Sequence, residues 1–532
     1  MRFVSTACVM TLMFVGCSGS NVNVENSSGG KSSGAVGGSV AGGAQTTGGH
    51  AAAQGGSSTA QGGTGGRETA ASGGNSTGGY PSTGGKVTSG GSNSATGGTN
   101  PATGGQVASG GTRLTTGGSI ATGGSRNSGG TVATGGSTPT GGIAGTTTTP
   151  VPCTSGSACI DFTVLQQEID GLGAAAPGSD VLSTAVLDAS FKNDTLKQMG
   201  LSILCVEIDP AGQSAWEPPK TNGTNAKARG VKYVFASPWS PPASMKTNNS
   251  TIAGQLNTAS YADYAAFLKS FYAYMGGAGG AVDIISVQNE PNVVVSYIST
   301  TWSATQLFNF TKNNAQAIGA PYMMPETFNY DTSYSDPTLN DATAAANVSY
   351  IGLHLYGAQM KPYTLAVQKQ KKIWMTEHFF DPEDIGTMLS MAKEIMDCFE
   401  NQMNAYVWWY LVTPNCNLTT SSGTLTNKGY VMGQFSKYIR PGAHRVSATF
   451  QPRSNVNVQA FGGTPNVIVA LNRNTSAASQ TFTFTGASIT SLRKYTTTNS
   501  KKLSDDGTIA VTGNSFTVSL ESQSVTTFVA TQ

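Results

Sequence analysis

The chain has 532 residues, of which 68 are glycine and only 11% are charged, with a formal net charge of +2. Of the glycines, 41 fall between residues 18 and 150, so the chain is two materials, and both a wholly disordered protein and a single 532-residue domain are excluded. The glycines come in pairs without the period of three that collagen needs. From residue 151 onward 24 Lys and Arg face 26 Asp and Glu with no basic stripe, so the cationic footprint of a nucleic-acid binder is missing.

In chain order, Arg2 precedes a short apolar run through Val9, Leu12 and Phe14, which closes on Phe14-Val15-Gly16-Cys17. Residues 1–17 read as an export signal, too short to span a membrane as a mature helix. The close is similar to a bacterial lipobox, with Cys17 lipidated and left as the new N-terminus. The membrane would then be met only through a lipid anchor, at the bacterial cell surface or outer membrane. Simple cleavage, with Cys17 a bystander, would leave the protein secreted.

Residues 18–150 repeat Gly-Gly pairs, with Tyr80 as their one aromatic. Such a stretch cannot bury enough apolar surface to offset its ordering entropy, and reads as a disordered tether reaching roughly 60–70 Å. Cys153 and Cys159, six apart in a polar stretch, suit a small disulfide loop. No spacing among Cys8, Cys17, Cys153, Cys159, Cys205, Cys398 and Cys416 suits a metal site.

From 169 to 440 strand-like runs alternate with helical ones. Strands are predicted at 169–174, 201–209, 232–239, 283–290, 321–326, 349–356, 371–378 and 404–411. Among the helices, Tyr264, Phe267, Leu268, Phe271 and Met275 share one face, as do Met388, Leu389, Ala392, Ile395 and Phe399. Eight such units have the size of a (β/α)8 TIM barrel; the rival doubly wound sheet lacks a GxGxxG after its first strand. After Pro441 the pattern changes to short strands at 455–460, 466–472, 480–485, 508–511, 515–520 and 524–530, a β-sandwich signature. The predicted domains are therefore a barrel at 169–440 and a side β-sandwich at 441–532. A strand within 151–168 would join the latter.

Barrel chemistry collects at the C-terminal ends of strands. Glu290 ends the fourth predicted strand and Glu377 the seventh. Two carboxylates facing each other across a barrel mouth suit glycoside hydrolysis, whereas a single strand-end acid often only faces water.

Several stretches carry a resemblance. They are Phe235-Ala236-Ser237-Pro238-Trp239-Ser240-Pro241-Pro242, Ile285-Ser286-Val287-Gln288-Asn289-Glu290-Pro291, His354-Leu355-Tyr356-Gly357, Trp374-Met375-Thr376-Glu377 and Ala405-Tyr406-Val407-Trp408-Trp409-Tyr410. Phe435-Ser436-Lys437-Tyr438-Ile439-Arg440-Pro441-Gly442 and Gln523-Ser524-Val525-Thr526-Thr527-Phe528-Val529 extend them. Over residues 160–530 the chain resembles glycoside hydrolase family 30, and within it the bacterial glucuronoxylanases. The resemblance implies a retaining β-glycosidase with a TIM barrel and a side β-domain, acting on a polysaccharide; this chemistry needs no metal or organic cofactor, and a monomer is expected. It implies that Glu290 is the acid/base and Glu377 the nucleophile. It further implies that Asn289 holds the sugar 2-hydroxyl, that Tyr356 steadies the nucleophile, and that Trp239 with Trp408 or Trp409 stacks on sugar rings. Strand alternation sends one of the last two into the core. His354 either lines the site or is a structural hydrogen-bonder, the reading favoured for His378.

Three departures qualify the resemblance. Glucuronoxylanases follow the eighth strand with an arginine-bearing run that grips the methylglucuronate branch of xylan; here Leu411-Val412-Thr413-Pro414-Asn415-Cys416 has no cation. The loop after the nucleophile is shorter and acidic, Phe379-Phe380-Asp381-Pro382-Glu383-Asp384. Cys205 stands where the family has arginine near the nucleophile, and losing that cation should raise the proton affinity of Glu377. Neither Glu207 nor Arg445 can be assumed to compensate. An endo-β-1,4-xylanase independent of glucuronate is the first reading. The others are a family 30 enzyme on another β-glycan (a β-1,6-glucan or a glucosylceramide-type substrate) and a non-catalytic carbohydrate-binding surface protein.

Overall fold

The computed structural model describes residues 154–531. The signal at 1–17 with its candidate lipidation site Cys17, the tether at 18–150 and Cys153 lie outside the described residues.

The first strand, β1 (Ala158–Glu168), precedes the barrel without joining it. Eight strands then close a parallel barrel: β2 (Gly171–Ala175), β3 (Ile203–Glu207), β4 (Tyr233–Ser237), β5 (Ile284–Ser286), β6 (Tyr322–Thr327), β7 (Tyr350–His354), β8 (Lys372–Glu377) and β9 (Ala405–Trp408). Each pairs with the next in chain order, and Leu172 of β2 meets Tyr406 of β9 to complete the ring. Every predicted barrel strand overlaps one of these; six contain the observed strand, while β2 and β6 each run one residue further, to Ala175 and Thr327.

Alternation along the strands builds two cores. Ile203, Cys205, Phe235, Ile284, Met323, Trp374, Ala405 and Val407 fill the barrel interior. Their neighbours Leu204, Val206, Ile285, Ile373, Met375 and Tyr406 point outward into the layer shared with the helices. Burial on both faces explains why the strands read as continuous apolar runs. All five residues predicted on the face of the helix Ile385–Glu400 are buried, and its N-cap, Asp384, accepts from the Thr387 amide. In the helix Tyr261–Tyr274 the buried set is Tyr264, Ala265, Leu268, Phe271 and Tyr272, while Phe267 is only partly covered.

At the bottom of the barrel Asp170 is 1% exposed, held by Lys372 Nζ at 2.7 Å and Trp374 Nε1 at 2.8 Å. Burial raises its proton affinity, and the bonds from Lys372 and Trp374 oppose this. Replacing Asp170 with alanine would strand both donors. A loss of about 2–3 kcal/mol in unfolding free energy is expected by denaturant titration; an unchanged midpoint would show that the pair adds nothing.

The side domain takes β1 from before the barrel and eight strands from after it. These are β10 (His444–Ala448), β11 (Val456–Gly462), β12 (Val467–Asn472), β13 (Ala478–Thr485), β14 (Ser491–Thr497), β15 (Ser504–Ala510), β16 (Ser515–Leu520) and β17 (Ser524–Thr531). They form one continuous sheet in the order β15-β14-β17-β12-β11-β10-β1-β13-β16. Flat, β17 and β13 would stand about 24 Å apart, five strand spacings. Yet the rings of Phe482 on β13 and Phe528 on β17 are 5.3 Å apart. The sheet therefore rolls over its own core, and the sandwich is one sheet folded on itself.

Along β12, Val467, Val469 and Leu471 pack toward the barrel while Ile468 and Ala470 enter the side core. Gln459 donates to the Met396 carbonyl, Arg445 pairs with Glu400 at 3.1 Å, and Gln434 donates to Thr497, which fixes the domain against two barrel helices. Arg445 is thus committed far from the barrel mouth.

Cys159 is disulfide-bonded, and Cys205, Cys398 and Cys416 are buried free thiols. No helix among the described residues is long and apolar enough to cross a membrane.

Candidate active site

The barrel mouth holds Glu290, Glu326, His354, Tyr356 and Glu377 in one cluster. Strand alternation alone would point Glu377 outward, because Trp374 faces the interior. The β7–β8 register slips here: Leu353 pairs with Met375, but His354 pairs with Glu377, so Thr376 is skipped. That irregularity turns Glu377 inward, beside the inward-facing His354. Glu290 sits beyond β5 at φ 46°, and its amide donates to the Glu326 carbonyl at 3.0 Å. Left-handed backbone at a non-glycine residue is strained and marks functional positions more often than chance.

Glu290 and Glu377 are each 6% exposed. His354 Nδ1 lies 3.0 Å from a Glu290 oxygen and 3.9 Å from Glu377 Oε1. One oxygen of each carboxylate and a ring nitrogen of His354 all fall within 4.8 Å of one another. Among the described residues this is the one histidine–carboxylate group tight enough to consider for a cation. Its His354 Nδ1 is, however, already committed to Glu290. Tyr356 donates its hydroxyl to Glu377 Oε1 at 3.0 Å, and its ring rests on His378 with centroids 4.9 Å apart. His378 is engaged with Glu394 at 2.9 Å, the structural role favoured from sequence.

Burial pushes the Glu377 carboxyl well above the usual glutamate range. The charge of His354 opposes this, Glu290 adds to it, the Tyr356 hydroxyl opposes, and Glu326 adds. The direction matches what losing arginine at position 205 predicts. For His354, burial disfavours the cation, but the charge of Glu377, the bond to Glu290 and the nearby carboxylate of Glu326 outweigh it and raise the imidazole to about 10. Cys205 is 4% exposed, and burial with the fields of Glu326, Glu377 and Glu207 keeps its thiol protonated. Glu207 accepts from the Gly178 amide at 3.0 Å, and burial with the field of Asp209 raises it to about 7.

Just beyond the ends of β4 and β9, Trp239 and Trp409 stand with ring centroids 5.7 Å apart and planes tilted by 39°. Trp408 does not belong to this platform. It is fully buried, packed near Phe380, its indole donating to the Cys416 carbonyl. Alternation from inward Val407 sends Trp408 outward and Trp409 back to the mouth, so the expected role of Trp408 as a sugar contact is corrected. His354, also expected among the substrate contacts, is fully buried beneath the acids and touches them. Asn289 is 5% exposed and its amide donates to the Pro238 carbonyl at 2.8 Å.

Within the loops after β8 and β9 the charged side chains are all acidic. Asp381 and Glu383 are exposed. Lys428, which reaches both loops, is fully buried, its ammonium bonded to the carbonyls of Asn415 at 2.6 Å and Phe380 at 3.3 Å. Glu326 was not singled out from sequence, although it ends its strand as Glu290 and Glu377 do.

No protein-family model matches the chain. It is similar to Glucuronoxylanase XynC of Bacillus subtilis strain 168, with 36% identity over 364 residues, 65% of this chain and 85% of the relative. Among solved structures it is similar to a GH30 endoxylanase from Clostridium papyrosolvens C71, with 40% identity and a TM-score of 0.66, covering 71% of this chain and 100% of that one. It is equally similar to the glycoside hydrolase family 30 subfamily 8 xylanase Xyn30A from Clostridium acetobutylicum, with 40% identity, a TM-score of 0.68 and the same coverage.

Proposed function

The chain belongs to glycoside hydrolase family 30, and we propose that it is a retaining endo-β-1,4-xylanase that works outside the cell and does not depend on glucuronic acid branches. The observation that carries the reading is the pair Glu290 and Glu377, whose nearest oxygens lie within 4.8 Å at the mouth of the barrel. Retaining glycosidases hold their two carboxyls about 5–5.5 Å apart, whereas inverting enzymes need room for a water between them.

Glu377 attacks the anomeric carbon from one face while Glu290 protonates the leaving oxygen from the other. The enzyme-bound glycosyl ester is then hydrolysed by water that Glu290 deprotonates. The Tyr356 hydroxyl steadies the ionised form of Glu377. Trp239 and Trp409 offer aromatic faces to the apolar C–H surfaces of xylose rings, and Asn289 reaches the 2-hydroxyl beside the cleaved bond. Attack requires ionised Glu377. Its raised proton affinity therefore puts the acidic limb of kcat/KM above the usual carboxylate range, with activity falling as pH drops through that limb. A limb at the ordinary glutamate value would contradict this.

Independence from glucuronate is supported by the uncharged run 411–416, the exposed Asp381 and Glu383, and the burial of Lys428 against backbone carbonyls. A guanidinium–carboxylate contact would separate branched from unbranched substrates by roughly 10- to 100-fold. Comparable kcat/KM on glucuronoxylan and on xylan stripped of its glucuronate is expected instead. Cleavage of glucuronoxylan alone would end this part of the reading. Lipidation at Cys17, with the tether carrying a monomeric enzyme away from a bacterial surface, completes the proposal; mass spectrometry of the exported protein's N-terminus tests it.

A further inference from the structure

Glu326 is built into the cluster but has no part in the reaction above. It is 1% exposed at the end of β6. In the β6–β7 register Pro325 pairs with Gly352 and Thr327 with Leu353, which makes Glu326 the extra residue, at φ 53°. Its side chain lies across Gly352, where a Cβ would come within 2.7 Å of the Glu326 Cγ. The hydroxyls of Ser237, at 2.6 Å, and Ser286 both donate to Oε2. Oε1 is left to face Nε2 of His354 at 3.9 Å. That Nε2 is buried and has no hydrogen-bond partner among the described residues.

His354 therefore stands between carboxylates on both sides. Glu290 and Glu377 face Nδ1, Glu326 faces Nε2, and Tyr356 meets the ring edge-on at 6.2 Å. Either neutral tautomer would turn a bare nitrogen lone pair toward a carboxylate, whereas the imidazolium gives each side a proton. Cys205, which faces the same carboxylates, is neutral and adds no positive charge.

We propose that Glu326 is a positioning residue: through Oε1 it holds His354 as a doubly protonated imidazolium between the acid/base and the nucleophile, so that this ring supplies the positive charge that position 205 lacks. The inference rests on the roles given to Glu290 and Glu377 above. Ser237 and Ser286 fix Oε2 and so aim Oε1, and Gly352 clears the space. His354 acts through the acids it faces, keeping Glu377 more ionised than burial would allow.

The test is ¹⁵N NMR of the full chain labelled at histidine. There are four histidines, and His354 is assigned by its loss in His354→Gln. In the unaltered protein both ring nitrogens are expected to show imidazolium shifts at pH 7 and to titrate near 10. In Glu326→Gln, which removes an anion beside Nε2, the titration should move down by about one pH unit or more, a tenfold weaker hold on the proton. Glu326→Asp, which keeps the charge, should stay nearer the unaltered protein. The pH profile of kcat in Glu326→Gln should gain a limb where His354 loses its proton. If Glu326→Gln does not fold, the Ser237→Ala/Ser286→Ala pair, which releases Oε2, should lower the titration in the same sense. A neutral His354 at pH 7 in the unaltered protein, or an unmoved titration in a folded variant, overturns the proposal. So does a lowered titration with no new limb, since the charge would then be structural only. An imidazolium that moves as expected in a protein that cleaves no xylan leaves this arrangement standing and removes the proposed function instead.

Discussion

Glu377→Ala is expected to lower kcat on xylan by roughly 10⁴-fold or more, the scale seen when a covalent nucleophile is removed from an otherwise intact site. The loss should sit in kcat rather than KM, because the Trp239–Trp409 platform and Asn289 remain. Removal of the side chain also opens the face from which Glu377 attacks. Added azide should enter there and restore turnover in a single displacement, leaving the glycosyl azide with inverted configuration. The structural context sharpens the expectation. Glu377 is turned inward by a register slip and held by the Tyr356 hydroxyl at 3.0 Å, so it is aimed rather than merely present. A loss of less than tenfold, or no response to azide, would remove Glu377 from the nucleophile role.

The second large effect belongs to Glu290. Protonation of the leaving oxygen typically contributes 10²- to 10⁴-fold, so Glu290→Ala should lose about that much on xylan, whose leaving group is a poor one. An aryl xylobioside with an acidic phenol leaving group needs little protonation. On it, bond cleavage should survive and the glycosyl-enzyme should accumulate, because no base remains to activate water. Azide should then give a product of retained configuration, the opposite of the Glu377→Ala outcome. Equal losses on both substrates would mean that Glu290 acts through structure, for instance by releasing His354 from its 3.0 Å contact.

Much of this architecture could be read from the chain. Val, Ile and Trp runs burying both faces of barrel strands are dense enough to mark all eight. The apolar stripe of Met388, Leu389, Ala392, Ile395 and Phe399 fixed the buried face of its helix. In the side domain β10 and β14 escaped notice. Ser491-Leu492-Arg493-Lys494-Tyr495-Thr496-Thr497 buries Thr496 and Thr497 completely or nearly so while Arg493 and Lys494 pair with Asp505 and Asp506. Its strand character lies in neighbours on both sides and not in its own hydropathy. β10 follows Pro441-Gly442 so closely that it reads as the tail of a helix.

The site was legible as residue types and less so as directions. Glu290 and Glu377 stand out because they end strands, but simple alternation aims Glu377 at the wrong layer, and only the skipped Thr376 corrects it. The same kind of slip hides Glu326. Its inward course needs the positive φ and the bare Gly352, neither of which has a period in sequence. For Trp408 and Trp409 alternation says that one is buried, but its phase is set by Val407 facing the barrel interior. The fate of the positive charge was hidden as well. The missing arginine at Cys205 was visible, whereas the ring of carboxylates around His354 is a product of four strand ends meeting.

The most direct test of the central claim is the configuration of the first product. Proton NMR followed from the first minutes of xylan hydrolysis, before mutarotation, should show new reducing ends appearing as the β-anomer and drifting only later toward equilibrium. Carboxylates this close suit direct attack by Glu377 better than attack by a water held between it and the sugar, so retention is the expected result. First appearance of the α-anomer would mean a single inverting displacement, and the nucleophile role of Glu377 could not stand.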